Sequence, residues 1–124
     1  MVKLVHWLRG AENMKVFFDL SATENNNRLR GVGVYAKNLY EGLRREGKEV
    51  VEVVEGIEGA DILHYPYFDP FFLTLPYKKH KKTIVTVHDL IPLVFPKHFP
   101  SGIKGRLKWL IQKKLLDNAD AIIT

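Results

Sequence analysis

The sequence predicts an α/β domain: a doubly wound, mostly parallel sheet with helices on both faces. Three observations predict it. Five apolar segments have the length of strands, two longer segments carry helical periodicity, and the order reads β-α-β-β-(irregular)-β-α-β. The strands are expected over residues 15–20, 49–54, 60–64, 83–87 and 119–124.

The first strand follows Met14 as Lys15-Val-Phe-Phe-Asp-Leu20. The second alternates Val50, Val51, Val53 and Val54 with glutamates, as a partly exposed strand does. The fourth and fifth are near-continuous and β-branched, as strands covered on both faces are. A helix is expected over residues 33–46, where Ala36, Leu39, Tyr40 and Leu43 recur at helical spacing and Gly47 supplies a stop. A second is expected over residues 102–118, with Ile103, Leu107, Leu110 and Ile111 as its apolar stripe and Ser101 placed to cap its start. Pro66, Pro70 and Pro76 forbid a long helix over residues 65–77. An aromatic-rich crossover packed on the sheet is expected there, and a loop over the proline-bearing residues 89–100.

The 124 residues make one domain the expectation. A hydrophobic share of 46% and a charged share of 27% are those of an ordinary globular protein. The chain has no cysteine, which excludes disulfides, thiolate metal sites and cysteine nucleophiles. No pair among the five histidines has tight ligand spacing, so no metal is expected. The net charge of +5 permits anionic partners and selects none. No recognition-helix or aromatic-stacking motif accompanies it, so no nucleic acid is expected. No apolar run approaches the roughly 20 residues that span a bilayer, and the first residues lack a signal-peptide cleavage site. A cytoplasmic protein is expected. Residues 1–13 read as an extension before the domain, which begins at Met14; the strand pattern that runs into Thr124 reads as a piece of a longer protein.

Two elements could carry chemistry. Ligands in open α/β sheets bind in the crevice outside the carboxyl ends of the strands. The strand over residues 83–87 ends there in His88-Asp89. Gly31-Val-Gly33 opens the first helix, where a backbone without Cβ can approach a ligand and free N–H groups can meet a phosphate. Placing the first strand beside the fourth sets the glycine loop opposite the His-Asp pair, with His64 and Tyr65 nearby. His88 could act as a general base, donate to a sugar hydroxyl, or be a core residue bonded to backbone. Asp89 could serve the site or close the turn before Pro92. The run Gly31-Val-Gly33-Val-Tyr-Ala36 also matches the dinucleotide pattern G-x-G-x-x-A. Residues 21–30, with Asn25-Asn26-Asn27, separate it from its strand, which argues against a nicotinamide cofactor. Lys78-Lys79-His80-Lys81-Lys82 falls at the sheet's amino edge and reads as a solvated loop.

Four motifs in order resemble the glycosyltransferases of GT-B fold, family 4. They are Gly31-Val-Gly33-Val-Tyr35 with Leu39-Tyr-Glu-Gly-Leu43, then Asp61-Ile-Leu-His64-Tyr65-Pro66, then Val85-Thr-Val-His88-Asp89-Leu-Ile-Pro92, then Asn118-Ala-Asp-Ala-Ile-Ile-Thr124. The resemblance runs from Met14 to Thr124 and implies part of a Rossmann-like N-terminal domain that mainly holds the acceptor. It implies a retaining enzyme that takes a sugar from a nucleotide-sugar co-substrate, with no further cofactor and no metal. It places His88 beside the donor sugar as the candidate catalytic residue, without covalent attack. Gly31, Gly33, Tyr35, His64, Tyr65 and Asp89 are the candidate donor- or substrate-binding residues. The family's C-terminal domain is absent from these residues, so the chain alone is expected to be inactive. The implied partners are that domain, the nucleotide sugar, and a sugar or lipid-linked acceptor. A peripheral membrane contact through Arg106, Trp109, Lys113 and Leu116 is a further expectation. The alternative is a stand-alone Rossmann-like module that binds a nucleotide or phosphosugar without catalysis.

Overall fold

The computed structural model describes residues 13–24, 29–78 and 81–124. The extension over residues 1–12, the asparagine run at 25–27 and the Lys79-His80 part of the basic cluster lie outside them. Five parallel strands are present: β1 (Met14–Phe18), β2 (Val51–Val54), β3 (Ile62–Tyr65), β4 (Lys82–Thr86) and β5 (Ala121–Ile123). The described helices are α1 (Ser21–Glu24), α2 (Gly31–Arg45), α3 (Ile91–Val94) and α4 (Gly102–Asp117). This is the Rossmann-like α/β class that the pattern predicts.

The strand order is β2-β1-β3-β4-β5. This corrects one expectation: β1 does not lie beside β4, because β3 pairs with both. The reason lies in the link from β2 to β3, which the apolar pattern cannot rank. Asp61 enters β3 already bound to β1, its N–H donating to the Lys15 carbonyl (2.7 Å) and its carboxylate accepting from the Lys15 N–H (2.8 Å). Ala60 is buried and Ile57 packs against the same core, so the link lies on the sheet rather than in solvent. Lys81 reinforces it by donating from Nζ to the carbonyls of Glu58 and Ala60. That lysine of the basic cluster is therefore half-buried and bonded rather than simply solvated.

Side chains alternate across the pleat and feed two cores. Phe18 and Val53 face α2, where Ala36 is fully buried. Phe17 and Val54 face the other side, where Leu63, Val85 and Phe68 pack under α4. The helices thus cover both faces, and each buried Leu, Val or Phe contributes about 1.5–3 kcal/mol of burial.

Several boundaries differ from the pattern. α2 starts at Gly31, so both glycines of the loop are in its first turn. The proline-bearing stretch after His88 contains the single turn α3, with Pro92 in its first positions, where a missing N–H costs nothing. Ser101 sits at the cap position of α4, but its hydroxyl makes no capping bond. Gly102 follows with φ 65°, a left-handed value that suits glycine.

α4 is rotated from its expected setting. Ile103, Leu107, Leu110 and Ile111 are exposed, while Trp109 and Leu116 pack against the core. The face proposed for membrane contact through Trp109 and Leu116 is therefore the inner one. Two buried residues, Gly105 and Gln112, lie on its inner face. Gly105 is buried, and a Cβ there would meet Ser101 Cβ at 2.7 Å and the Phe71 ring at 3.7 Å. Gln112 is fully buried and holds the segment that follows β3. Its amide nitrogen donates to the carbonyls of Asp69 (3.1 Å) and Phe72 and lies 2.7 Å from Thr74 Oγ1; its carbonyl oxygen accepts from the Leu75 N–H at 3.4 Å. An apolar stripe cannot satisfy those groups, so the polar residue takes the inner face.

Candidate functional site

A cleft of about 370 Å³ opens at the carboxyl edge of the sheet. Its size is that of pockets that take small ligands. Three segments build it. Arg30, Gly31 and Val32 come from the start of α2; Tyr67, Phe68, Asp69 and Pro70 follow β3; His88, Asp89, Ile91 and Pro92 follow β4, with Phe99 closing the rim. Although β3 separates β1 from β4, the glycine turn and the His-Asp pair still meet. The segment after β3 forms the floor between them.

Arg30 caps α2 with extended backbone, and its carbonyl accepts from the N–H groups of Gly33 (3.0 Å) and Val34 (3.1 Å). The earliest N–H groups of a helix have no intrahelical acceptor and carry the positive end of the dipole. Gly31 and Val32 bring that end to the cleft wall. A Cβ on Gly31 would meet nothing within 4 Å, so open space adjoins its backbone. Gly33 lies deeper and is buried.

His88 ties two walls together. Its Nε2 lies 3.0 Å from the Pro66 carbonyl, which can only accept. In the neutral ring the proton is therefore on Nε2, and Nδ1 keeps its lone pair as an acceptor or base. The Tyr35 ring meets the imidazole edge-on, with centroids 4.7 Å apart and planes at 86°. Tyr35 thus orients His88 from α2 and is not part of the cleft lining. Asp89 accepts from the Ile91 N–H through Oδ1 (3.1 Å), which starts α3. It closes the turn and also lines the cleft.

His64 and Tyr65 do not reach this cleft. His64 is buried, with Nε2 3.0 Å from Thr86 Oγ1 and its ring edge-on to Phe18 at 5.0 Å. Burial lowers its pKa below the ordinary imidazole value. Tyr65 belongs to the core under α4, and burial, aided by the Asp19 carboxylate, raises its pKa. A consequence for stability follows. The unfolded imidazole binds its proton near pH 6.5 while the folded one resists it, so acid favours the unfolded chain. Stability should be complete above about pH 6.5 and fall on acidification below it. Urea midpoints at pH 7.5 and 5.5 test this. The drop should shrink in His64→Gln; an equal drop in that variant would assign it to other groups.

Arg30, Tyr67 and Asp69 are cleft residues that the sequence motifs do not single out. Asp69 left a signal, being the one charged residue within residues 65–77. Its carboxylate accepts from the Tyr67 hydroxyl (3.1 Å) and the Phe71 N–H (2.8 Å), so it shapes the floor. The whole arrangement offers an anion-attracting helix end beside Arg30, aromatic faces, and a histidine of defined tautomer.

No family model, no curated protein and no solved structure matches the chain. What the residues themselves establish is a Rossmann-like parallel α/β domain whose glycine turn and His-Asp pair share one cleft.

Proposed function

We propose that the chain is the acceptor-side part of a retaining glycosyltransferase that uses a nucleotide-sugar donor. The observation that carries the reading is the cleft that sets the N-terminus of α2 and Arg30 on one side and His88 on the other. Sugar transfer from a nucleoside diphosphate needs both: donors for the phosphate oxygen that gains charge, and a group that positions the sugar. The glycosidic C–O bond of the donor breaks with its electron pair going to the diphosphate. The acceptor oxygen forms the new bond on the same face, and its proton passes to the departing phosphate oxygen. The N–H groups of Gly31 and Val32 face that developing charge. His88, held by Pro66 and Tyr35, offers Nδ1 to a sugar hydroxyl. Tyr67, Phe68 and Phe99 supply apolar faces for a sugar ring. The scheme calls on no metal.

The test is a titration of the isotope-labelled chain with uridine, guanosine and adenosine diphosphate sugars, followed by amide NMR. One of them should shift Gly31, Val32 and His88 with a Kd on the order of 1 mM, as befits half of a shared site. Arg30→Glu should weaken it severalfold. If none of the three moves these amides at about 10 mM, the reading is overturned.

A further inference from the structure

We infer that a second cleft, at the carboxyl ends of β1 and β2, binds a free basic α-amino acid of the lysine kind. The inference does not depend on what the first cleft binds. This second cleft encloses about 460 Å³ and shares no lining residue with the first. Phe18, Leu20, Tyr40 and Val53 give it an apolar lining, in which the Phe18 and Tyr40 rings pack with centroids 5.8 Å apart. Asp19, Glu24 and Glu55 add three carboxylates, and Arg44 adds a guanidinium. Apolar walls with a few polar groups that fix orientation are the usual build of a small-molecule site.

The charges name the ligand. Arg44 lies over the Tyr40 ring, 5.5 Å from its centroid, and among the described residues no ion pair joins it to Asp19, Glu24 or Glu55. Opposite charges that share a cleft without meeting leave room for a ligand that meets both. The guanidinium suits a carboxylate, which it can hold through two N–H groups. Three carboxylates against one guanidinium call for a ligand with more positive charge than negative. The apolar lining suits methylenes between its charged ends. A basic amino acid has this pattern: one carboxylate, two cations and a methylene stem. A diamine would leave Arg44 unmatched, and a nucleotide or phosphosugar would set its phosphates against the carboxylates. The surrounding chain favours the same ligand. Residues 41–61, which include β2 and the end of α2, hold seven of the chain's 14 acids against three basic residues, although the net charge of the whole chain is +5. The field of that segment gathers cations at this edge of the sheet.

The experiment is a titration of the isotope-labelled full chain with lysine, followed by amide NMR. Two matched probes accompany it: cadaverine, which is lysine without the carboxylate, and norleucine, which is lysine without the terminal ammonium. Lysine should shift the amides of Asp19, Val54 and Glu55 with a Kd on the order of 1 mM and leave those of Gly31, Val32 and His88 in place. Each matched probe should bind about three- to tenfold more weakly, the range for one lost charged contact at an open site. Arg44→Gln should weaken lysine by a similar factor and leave cadaverine unchanged. Glu24→Gln with Glu55→Gln should weaken both. These three residues are exposed, and circular dichroism verifies that each variant stays folded. Three results would overturn the inference: no shift at about 20 mM lysine, shifts confined to the first cleft, or cadaverine or norleucine binding as tightly as lysine.

Discussion

Gln112→Leu is expected to lose about 3–5 kcal/mol of folding stability, the largest loss from any single side chain outside the apolar core. The two residues are close in volume, so the cost is in hydrogen bonds. In the folded chain the amide serves the carbonyls of Asp69 and Phe72, Thr74 Oγ1 and the Leu75 N–H from a fully buried position. Leucine leaves those groups without their partner, at about 1–3 kcal/mol for each one that water cannot reach. A domain of this size has about 5–15 kcal/mol to lose. The thermal midpoint should fall by roughly 10–15 °C. Leu110→Ala, two residues earlier but exposed, should stay within about 0.5 kcal/mol of the parent and serves as the control. The change should also reach the cleft. Asp69 and Pro70 line it, and Gln112 is what holds the Asp69 carbonyl in place. A Gln112→Leu protein that melts with the parent would show that the segment after β3 is held by something else.

The same residue shows where reading the sequence stops. Strands are legible because apolar runs and β-branching report burial directly, and all five appear in their expected order. α2 is legible because one face of it is apolar and that face is buried. α4 is not, because it has two candidate faces: Ile103-Leu107-Leu110-Ile111 and Trp109-Leu116. The choice between them falls to a glutamine that bonds backbone groups 37 to 43 residues away. It contributes nothing to an apolar count. A glutamine in a helix reads as surface until its acceptors are known.

The site divides in a similar way. Gly31, His88 and Asp89 are found by a rule about strand ends, which holds whichever strand order the sheet adopts. That is why their meeting survives the misplaced β1–β4 neighbour. His64 and Tyr65 are near the same edge in sequence, yet both are still within β3 and are swallowed by its two cores. The chain leaves the sheet only at Pro66, and the residues that reach the cleft begin at Tyr67. The floor of the cleft was hidden because it depends on Asp69 bonding to its own loop, a local arrangement with no periodicity.

On the proposed reading, His88→Ala lowers sugar transfer by two to three orders of magnitude and leaves the fold nearly as stable as before. Positioned acid, base or hydrogen-bonding groups are worth about 10²–10⁴ in rate. Little stability is at risk, because His88 is exposed on the cleft and gives up one bond to a carbonyl and one ring contact. Together these are worth about 1–2 kcal/mol. The asymmetry is the useful part. Gln112→Leu lowers stability first and activity through it; His88→Ala does the reverse. His88→Gln refines the assignment, since its amide can still donate to the Pro66 carbonyl but offers no basic nitrogen. If His88 positions a sugar hydroxyl through a hydrogen bond, His88→Gln should recover part of the lost rate. If Nδ1 takes a proton, His88→Gln should be as slow as His88→Ala. The measurement is transfer from a labelled nucleotide sugar by the protein purified from the cells that make it. Turnover within about threefold of the parent in both variants, against the minimum that a positioned group contributes, would remove His88 from the reaction and with it the main support for the transferase reading.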